Sequence, residues 1–384
     1  MNPPDGGYPE AVPSRVVTLT AGMGAGHDRV AVELCRRLAE RGVESDVVDI
    51  WELLPFGLGR LITAFYKGVI CRVPWIYEVI YSIWLRPTES SSRRVSPIIR
   101  LAGRRLERWM NRHGPDAVIS TFHLCSQVVG DLRRQGRMPL PTASVVVDFA
   151  AHGLWVDPDV DVHFCLHPAQ AARVRRLGAT EVVACGPVVG PSFARVRRER
   201  NEARQELGRS SSDRAVLIVA GSWGAGHVER AVRAVGRDGR FRIFVVTGRN
   251  ESLRRRLVAL GTAEVFGWVD DMPRLMVAAD VVIENAGGLM AMEAMAVGTP
   301  VVSYEPIPGH GRENVARMDE TGVSCYARGE AELLEVLERL CSDEPDRRRL
   351  TSTAERMFHS DLADHVVGLV HRSAAQVATG LATA

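Results

Sequence analysis

Two runs of the sequence place a histidine behind a glycine-rich turn: Thr20-Ala-Gly-Met-Gly-Ala-Gly-His27 and Ala220-Gly-Ser-Trp-Gly-Ala-Gly-His227. Each follows a short β-branched run and precedes a helical pattern, so backbone N–H groups and a helix dipole can face an anion. A third run, Gly267 to Asn314, is the most informative. It passes through Gly267-Trp-Val269, the apolar run Val281-Val-Ile-Glu284, Asn285-Ala-Gly-Gly-Leu289, a helix carrying Glu293, and the loop from Glu305 to Glu313-Asn314. Gly287 and Gly288 after a buried strand make a phosphate cradle. Glu293, about one and a half turns into the next helix, offers two acceptor oxygens to a ribose diol. Glu313 and Asn314 are placed to bond sugar hydroxyls.

These residues need strands to deliver them. Short β-branched runs alternate with helical patterns nearly throughout, which is the arrangement of parallel sheets covered by helices on both faces. The fold class is α/β. Strands are expected at Val16–Leu19, Asp46–Asp49, Ala117–Ser120, Ser144–Val147, Val162–Cys165, Ala215–Val219, Phe241–Val246, Val281–Glu284 and Val301–Tyr304. Because the two glycine-rich turns follow the first strand of each half, they imply two Rossmann-like domains facing across a cleft. The boundary falls in the charged, Ser-rich stretch from Pro187 to Asp213, giving domains of 12–190 and 191–384. The last helix, about 353–372, is expected to pack back on the first domain.

The length of 384 residues suits two domains. With 46% hydrophobic and 24% charged residues the chain reads as a folded soluble protein, and a net charge of +2 gives no reason to expect nucleic acid. Lys67 is the single lysine among 48 basic residues, so arginine runs carry little meaning. Seven cysteines, without a CxxC pair or a Cys/His cluster, read as reduced thiols, and no metal site is expected. Met1 to Arg15 lacks the apolar core of a secretory signal, and no apolar run reaches the ~20 residues of a membrane span. The expectation is a cytoplasmic protein, free or peripheral on the inner face of the plasma membrane.

The sequence resembles the monogalactosyldiacylglycerol synthase family of glycosyltransferases, which includes bacterial processive diacylglycerol glucosyltransferases. The family is related to the peptidoglycan enzyme that adds N-acetylglucosamine. The resemblance rests on Gly24-Ala-Gly-His27, Val47-Val-Asp49, Pro74-Trp-Ile-Tyr77, Asp148 to Trp155, Gly287-Gly288, Glu293, and Pro306-Ile-Pro-Gly309 to Glu313-Asn314. It implies a GT-B fold, a UDP-sugar as co-substrate with no further cofactor or metal, and inversion at the anomeric carbon. It also places Val269 on the uracil through its backbone, Ser222 and Gly287 to Leu289 on the diphosphate, Glu293 on the ribose, and Glu313 and Asn314 on the sugar. Where the family commonly has Lys, Thr and Ser, this chain has Asn285, Met290 and Met292, so the diphosphate is expected to lean on backbone N–H groups.

Inverting transfer requires a general base near the acceptor hydroxyl. His27, where a helix begins, is the expected base, unless it only positions substrate. Asp148 and His152, at the carboxyl end of a strand, could orient the acceptor or supply the base instead. His227 is expected near the diphosphate, and Asp270-Asp271 as a helix cap. Residues 51 to 84 carry eight aromatics, among them Phe65, Tyr66, Trp75 and Tyr77, interspersed with Arg60, Lys67, Arg72 and Arg86. This mixture suits a membrane interface or a lipid or other hydrophobic acceptor, or else helices packed on a sheet. Four rival readings remain at this point. They are an NAD-dependent oxidoreductase, from Gly22-x-Gly24-x-Gly26 with Asp49; a UDP-sugar 2-epimerase; a transferase for a soluble specialised metabolite; and a non-catalytic scaffold.

Overall fold

The computed structural model describes residues 14–23, 25–81, 96–208, 210, 213–342 and 344–382. Gly24, Trp84, Arg86 and Ser211-Ser212, and the side chains of Arg72, Pro74 and Tyr77, lie outside the described residues. Strands β1 (Arg15–Thr20), β2 (Glu44–Asp49), β3 (Ala117–Ser120), β4 (Thr142–Val146), β5 (Val162–Cys165) and β6 (Glu181–Ala184) form one sheet. Its order is β2-β1-β3-β4-β5-β6. Strands β7 (Ala215–Val219), β8 (Arg242–Val246), β9 (Glu264–Phe266), β10 (Val281–Glu284), β11 (Val301–Tyr304) and β12 (Cys325–Ala327) form the second, in the order β12-β11-β10-β7-β8-β9. All pairings are parallel. Helices cover both faces, so interior strands such as β4 and β7 are buried at every residue, which explains their near-continuous apolar sequence.

The strand order reverses between β1 and β3 in the first sheet and between β7 and β10 in the second. Ligands of open α/β sheets bind beyond the carboxyl ends of the strands at such reversals. There the two glycine-rich turns, the 285–288 loop and the residues after β3 and β4 meet. Helix α1 (Ala25–Ala39) follows the first turn, and α2 (Leu58–Arg72) and α3 (Pro74–Ile80) cover the cleft from the side.

The chain crosses between domains twice, after β6 and again at 356–361. The two crossings touch. The His359 Nε2 meets the Ala184 carbonyl at 3.0 Å, and Ser360 Oγ donates to the Cys185 carbonyl at 3.0 Å. Gly186 sits between them at φ +90°, where a Cβ would collide with the Met357 carbonyl oxygen. The final helix, Leu362–Ala382, then packs on the first domain, its Leu362, Ala363 and Val366 sharing a core with Val16, Val30 and Leu34. Arg37 of α1 and Arg41 of the turn after it pair with Asp361, at 3.1 and 3.0 Å.

Candidate active site

The wall supplied by the first domain is built around His27. Asp49, ending β2, accepts the Gly22 N–H at 3.1 Å and the Trp51 N–H at 2.8 Å, which fixes the turn leading into α1. That carboxylate is therefore engaged within its own turn and is not free for the ribose of a dinucleotide. His27 Nδ1 lies 3.0 Å from the Thr121 carbonyl beyond β3, and its ring packs edge-on against Phe122 at 5.0 Å. A carbonyl only accepts, so this contact assigns the proton to Nδ1 and leaves Nε2 as the basic nitrogen of a ring that lines the cleft.

Asp148, just past β4, also lines the cleft and accepts from the Trp155 indole at 3.0 Å. Burial pushes its carboxyl up, but the neighbouring imidazoles of His310, His27 and His152 and the indole N–H outweigh that and hold it below the usual range. His152 departs from expectation. It is 2% exposed, between His123 at 5.0 Å and Tyr81 at 6.2 Å, and does not reach the cleft. Burial lowers its pKa to about 4, keeping it neutral, and His123 is pushed the same way by burial and by His152. His152 is thus packing beneath the cleft floor rather than a base.

The opposite wall comes from the second domain. Ser222 and Val269 line it, as expected, and Trp268 is flanked by Arg249, 4.4 Å from the ring centroid, and Arg29 of α1, at 5.6 Å. His227 is exposed and outside the cleft, which corrects its expected place near the diphosphate. Asp271 caps the following helix through the Arg274 N–H.

The glycine pair divides its work. Glu284, 3% exposed at the end of β10, accepts the Ala286 and Gly287 N–H groups at 2.7 and 2.6 Å and the Ser303 hydroxyl. Gly287 therefore has its N–H engaged internally and shapes the loop rather than facing a phosphate. Its φ of +61°, and a Cβ that would come within 2.6 Å of Asn314 Cβ, explain why glycine stands there. Gly288 and Leu289, at the uncapped start of helix Leu289–Val297, line the cleft with first-turn N–H groups that the helix cannot satisfy.

Glu293 is not a surface acid. It is 2% exposed, accepts from Arg29 Nη1 at 3.1 Å, and leaves Oε2 buried without a partner. Burial raises its pKa to about 7, against the pull of the Arg29 charge and hydrogen bond. Asn314 also differs from expectation. Its side chain accepts the Ala150 N–H at 2.8 Å and donates to the Ala286 carbonyl at 3.2 Å, with Asp148 at 3.5 Å, so it ties the two domains instead of awaiting a sugar. Glu313 accepts from Tyr81 Oη at 2.9 Å.

His310 escapes the sequence reading. It heads helix His310–Glu320, lines the cleft, and faces Asp148 and His27, with burial holding its pKa down. Its place two residues after Pro308, in the loop already singled out, is the signal that could have found it. Residues 51–81 also do more than serve one domain. Tyr66 lines the cleft and stacks edge-on with Trp223 at 6.1 Å, and Glu78 of α3 accepts the Gly309 N–H at 2.8 Å. Phe65 and Trp75 are 63% and 66% exposed, so they are not core residues.

Two doubly wound domains whose glycine-rich turns face one cleft, with a final helix crossing back, define the GT-B class of fold. The crystal structure of MurG from Acinetobacter baumannii matches 94% of this chain and 100% of its own, with a TM-score of 0.59 at 19% identity. CalG4, the calicheamicin glycosyltransferase, matches 95% of this chain and 100% of its own, with a TM-score of 0.61 at 16% identity. Such identities establish the fold alone.

In sequence, the monogalactosyldiacylglycerol (MGDG) synthase family matches residues 27–189, and the glycosyl transferases group 1 family matches residues 200–357. The processive diacylglycerol beta-glucosyltransferase of Bacillus cereus (strain B4264) is 27% identical over 369 residues, 93% of each chain. The chain thus carries a monogalactosyldiacylglycerol synthase domain followed by a glycosyl transferases group 1 domain, and is a glycosyltransferase. The oxidoreductase, epimerase and scaffold readings fall away.

Proposed function

We propose that the chain moves a hexose or N-acetylhexosamine from a UDP-sugar to a hydroxyl of a diacylglycerol-type lipid, with inversion and without a metal. One observation carries the chemistry: the Thr121 carbonyl fixes the His27 tautomer so that Nε2 is the basic nitrogen in a cleft lined by both domains. Nε2 takes the proton of the acceptor hydroxyl as its oxygen attacks the anomeric carbon. The bond from that carbon to the diphosphate breaks, its electron pair leaving with UDP. Asp148, held ionised, balances the imidazolium that forms. The Gly288 and Leu289 N–H groups receive the diphosphate, Val269 the uracil, Glu293 the ribose, and Glu313 the sugar once it leaves Tyr81.

The lipid acceptor is supported by the relative's named substrate and by the surface of α2 and α3. Helix α2 turns Tyr66 and Ile70 into the cleft while Leu61 and Phe65 stand exposed, as do Trp75 and Val79 of α3 and the basic Arg60 and Lys67. Such a surface suits a bilayer interface. Among the described residues no helix is long and apolar enough to cross a membrane.

The direct test is release of UDP from UDP-glucose, UDP-galactose and UDP-N-acetylglucosamine in the presence of diacylglycerol vesicles, with the glycolipid identified by mass spectrometry. Turnover should survive EDTA. Absence of UDP release from every donor, or EDTA inhibition reversed only by a divalent cation, would overturn the reading. The lipid surface has its own test. Phe65→Ser with Trp75→Ser should leave the melting temperature unchanged, because both side chains are exposed. Vesicle association should fall about tenfold or more, given the ~1.5–3 kcal/mol that burying one such side chain supplies. Undiminished sedimentation with vesicles would remove the assigned surface.

A further inference from the structure

A departing diphosphate needs positive charge, and the wall expected to hold it has little. Asn285, Met290 and Met292 line the cleft beside the Gly288–Leu289 N–H groups and bring no cation. Among the described residues lining the cleft, Arg29 is the one arginine or lysine, and it comes from the opposite domain. We infer that Arg29 is a catalytic residue that neutralises the diphosphate leaving group, and that it is parked on Glu293 until the nucleotide arrives. The inference rests on the nucleotide-sugar reading proposed above.

The geometry makes the exchange local. A Cβ built on Gly26 would lie 3.7 Å from Leu289 Cβ, so the start of α1 touches the start of the helix whose N–H groups face the cleft. Arg29 is one turn beyond Gly26, and Glu293 one turn beyond Leu289; the two meet at 3.1 Å, one turn away from the anion-binding end. The two partners are unequally held. The Glu293 side chain is 3% exposed and held in the core, whereas that of Arg29 is 39% exposed and lies against Trp268 at the cleft wall.

Glu293 Oε2 is buried without a partner, so this carboxylate is half-satisfied as it stands. Two ribose hydroxyls would supply donors for both oxygens and release Arg29, whose planar fork suits phosphate oxygens. When the bond between the anomeric carbon and the diphosphate oxygen breaks, the electron pair moves onto the diphosphate beside that guanidinium. Removal of one such stabilising donor lowers turnover by about 10²–10³-fold.

Calorimetric titration of UDP, UMP and uridine into the wild-type chain, Arg29→Gln and Arg29→Lys separates this role from a merely structural one. The wild type should prefer UDP over uridine. In Arg29→Gln that preference should shrink about tenfold while uridine binds as well as before or better, since Glu293 is unblocked. Turnover should fall about 10²-fold or more, and Arg29→Lys should recover part of both losses. An Arg29→Gln chain that keeps the wild-type preference, or that loses uridine and UDP affinity equally, overturns the inference and leaves the nucleotide-sugar reading intact. A wild-type chain with no preference for UDP over uridine overturns both.

Discussion

His27→Ala is expected to lower the turnover number by about 10²–10⁴-fold, the range in which a positioned general base contributes. Its affinity for UDP should stay within about twofold of wild type, because the nucleotide wall belongs to the other domain. The expectation follows from two contacts and a neighbouring charge. Thr121 fixes the protonated nitrogen, Phe122 holds the ring edge-on, and Asp148 supplies the charge that an imidazolium needs. The rival bases are poorly placed: His152 is sealed beneath the floor, and Asp148 is engaged by the Trp155 indole. A His27→Ala enzyme retaining more than a tenth of the wild-type turnover would transfer the role elsewhere, with His310 the next residue to replace.

Glu293→Gln should bind UDP more weakly, by about 1–3 kcal/mol for the lost charged acceptor, and yet fold more stably in alkaline solution. The folded carboxyl has its pKa raised from 4.5 to about 7 by burial, so the ionised form is disfavoured in the native state. A raised pKa means that stability is full below about 4.5 and is lost as pH rises through about 7. At about 1.4 kcal/mol per unit, ionised Glu293 costs about 3 kcal/mol at pH 8. Glutamine removes that charge. Melting curves should show the variant several degrees above wild type at pH 8 and level with it near pH 4.5. A variant less stable than wild type at pH 8 would mean that the Arg29 pair outweighs the burial of the carboxylate. Stability given up at a position kept for ligand binding is a common trade in functional sites.

Much of this was legible from residue order alone, and the gaps have physical reasons. The interior strands announce themselves because parallel strands buried on both faces must be continuously apolar, as in Ala215–Val219. The strand reading does not reach β6, β9 and β12. All three are three- or four-residue edge strands, too short for an apolar run to stand out from its surroundings. In the site, residue types and turn positions located His27, Asp148 and Gly288 on the cleft, and the family resemblance added Ser222 and Val269. They did not reveal which polar atoms were already engaged. Asn314 and Gly287 look available until Ala150 and Glu284 are seen beside them, the first of these 164 residues away in the chain. Arg29 and His310 depend on the approach of two domains, which no local pattern encodes.

The twin crossings at Gly186 and Met357 have a mechanical meaning. Because His359 and Ser360 bind the carbonyls of Ala184 and Cys185, both covalent paths between the domains pass through one stitched point. A body joined to another by a single tether could swivel in any direction. Joined by two that are fastened together, it is left with a narrow rocking motion, like the leaves of a bound book. Along the same cleft that Gly186 lines, Gly26 meets Leu289 and Arg29 meets Glu293. Any opening about that point would part those pairs, and any return would bring the same atoms face to face, so that the glycine at the crossing, itself on the cleft wall, helps set accuracy at the reacting edge.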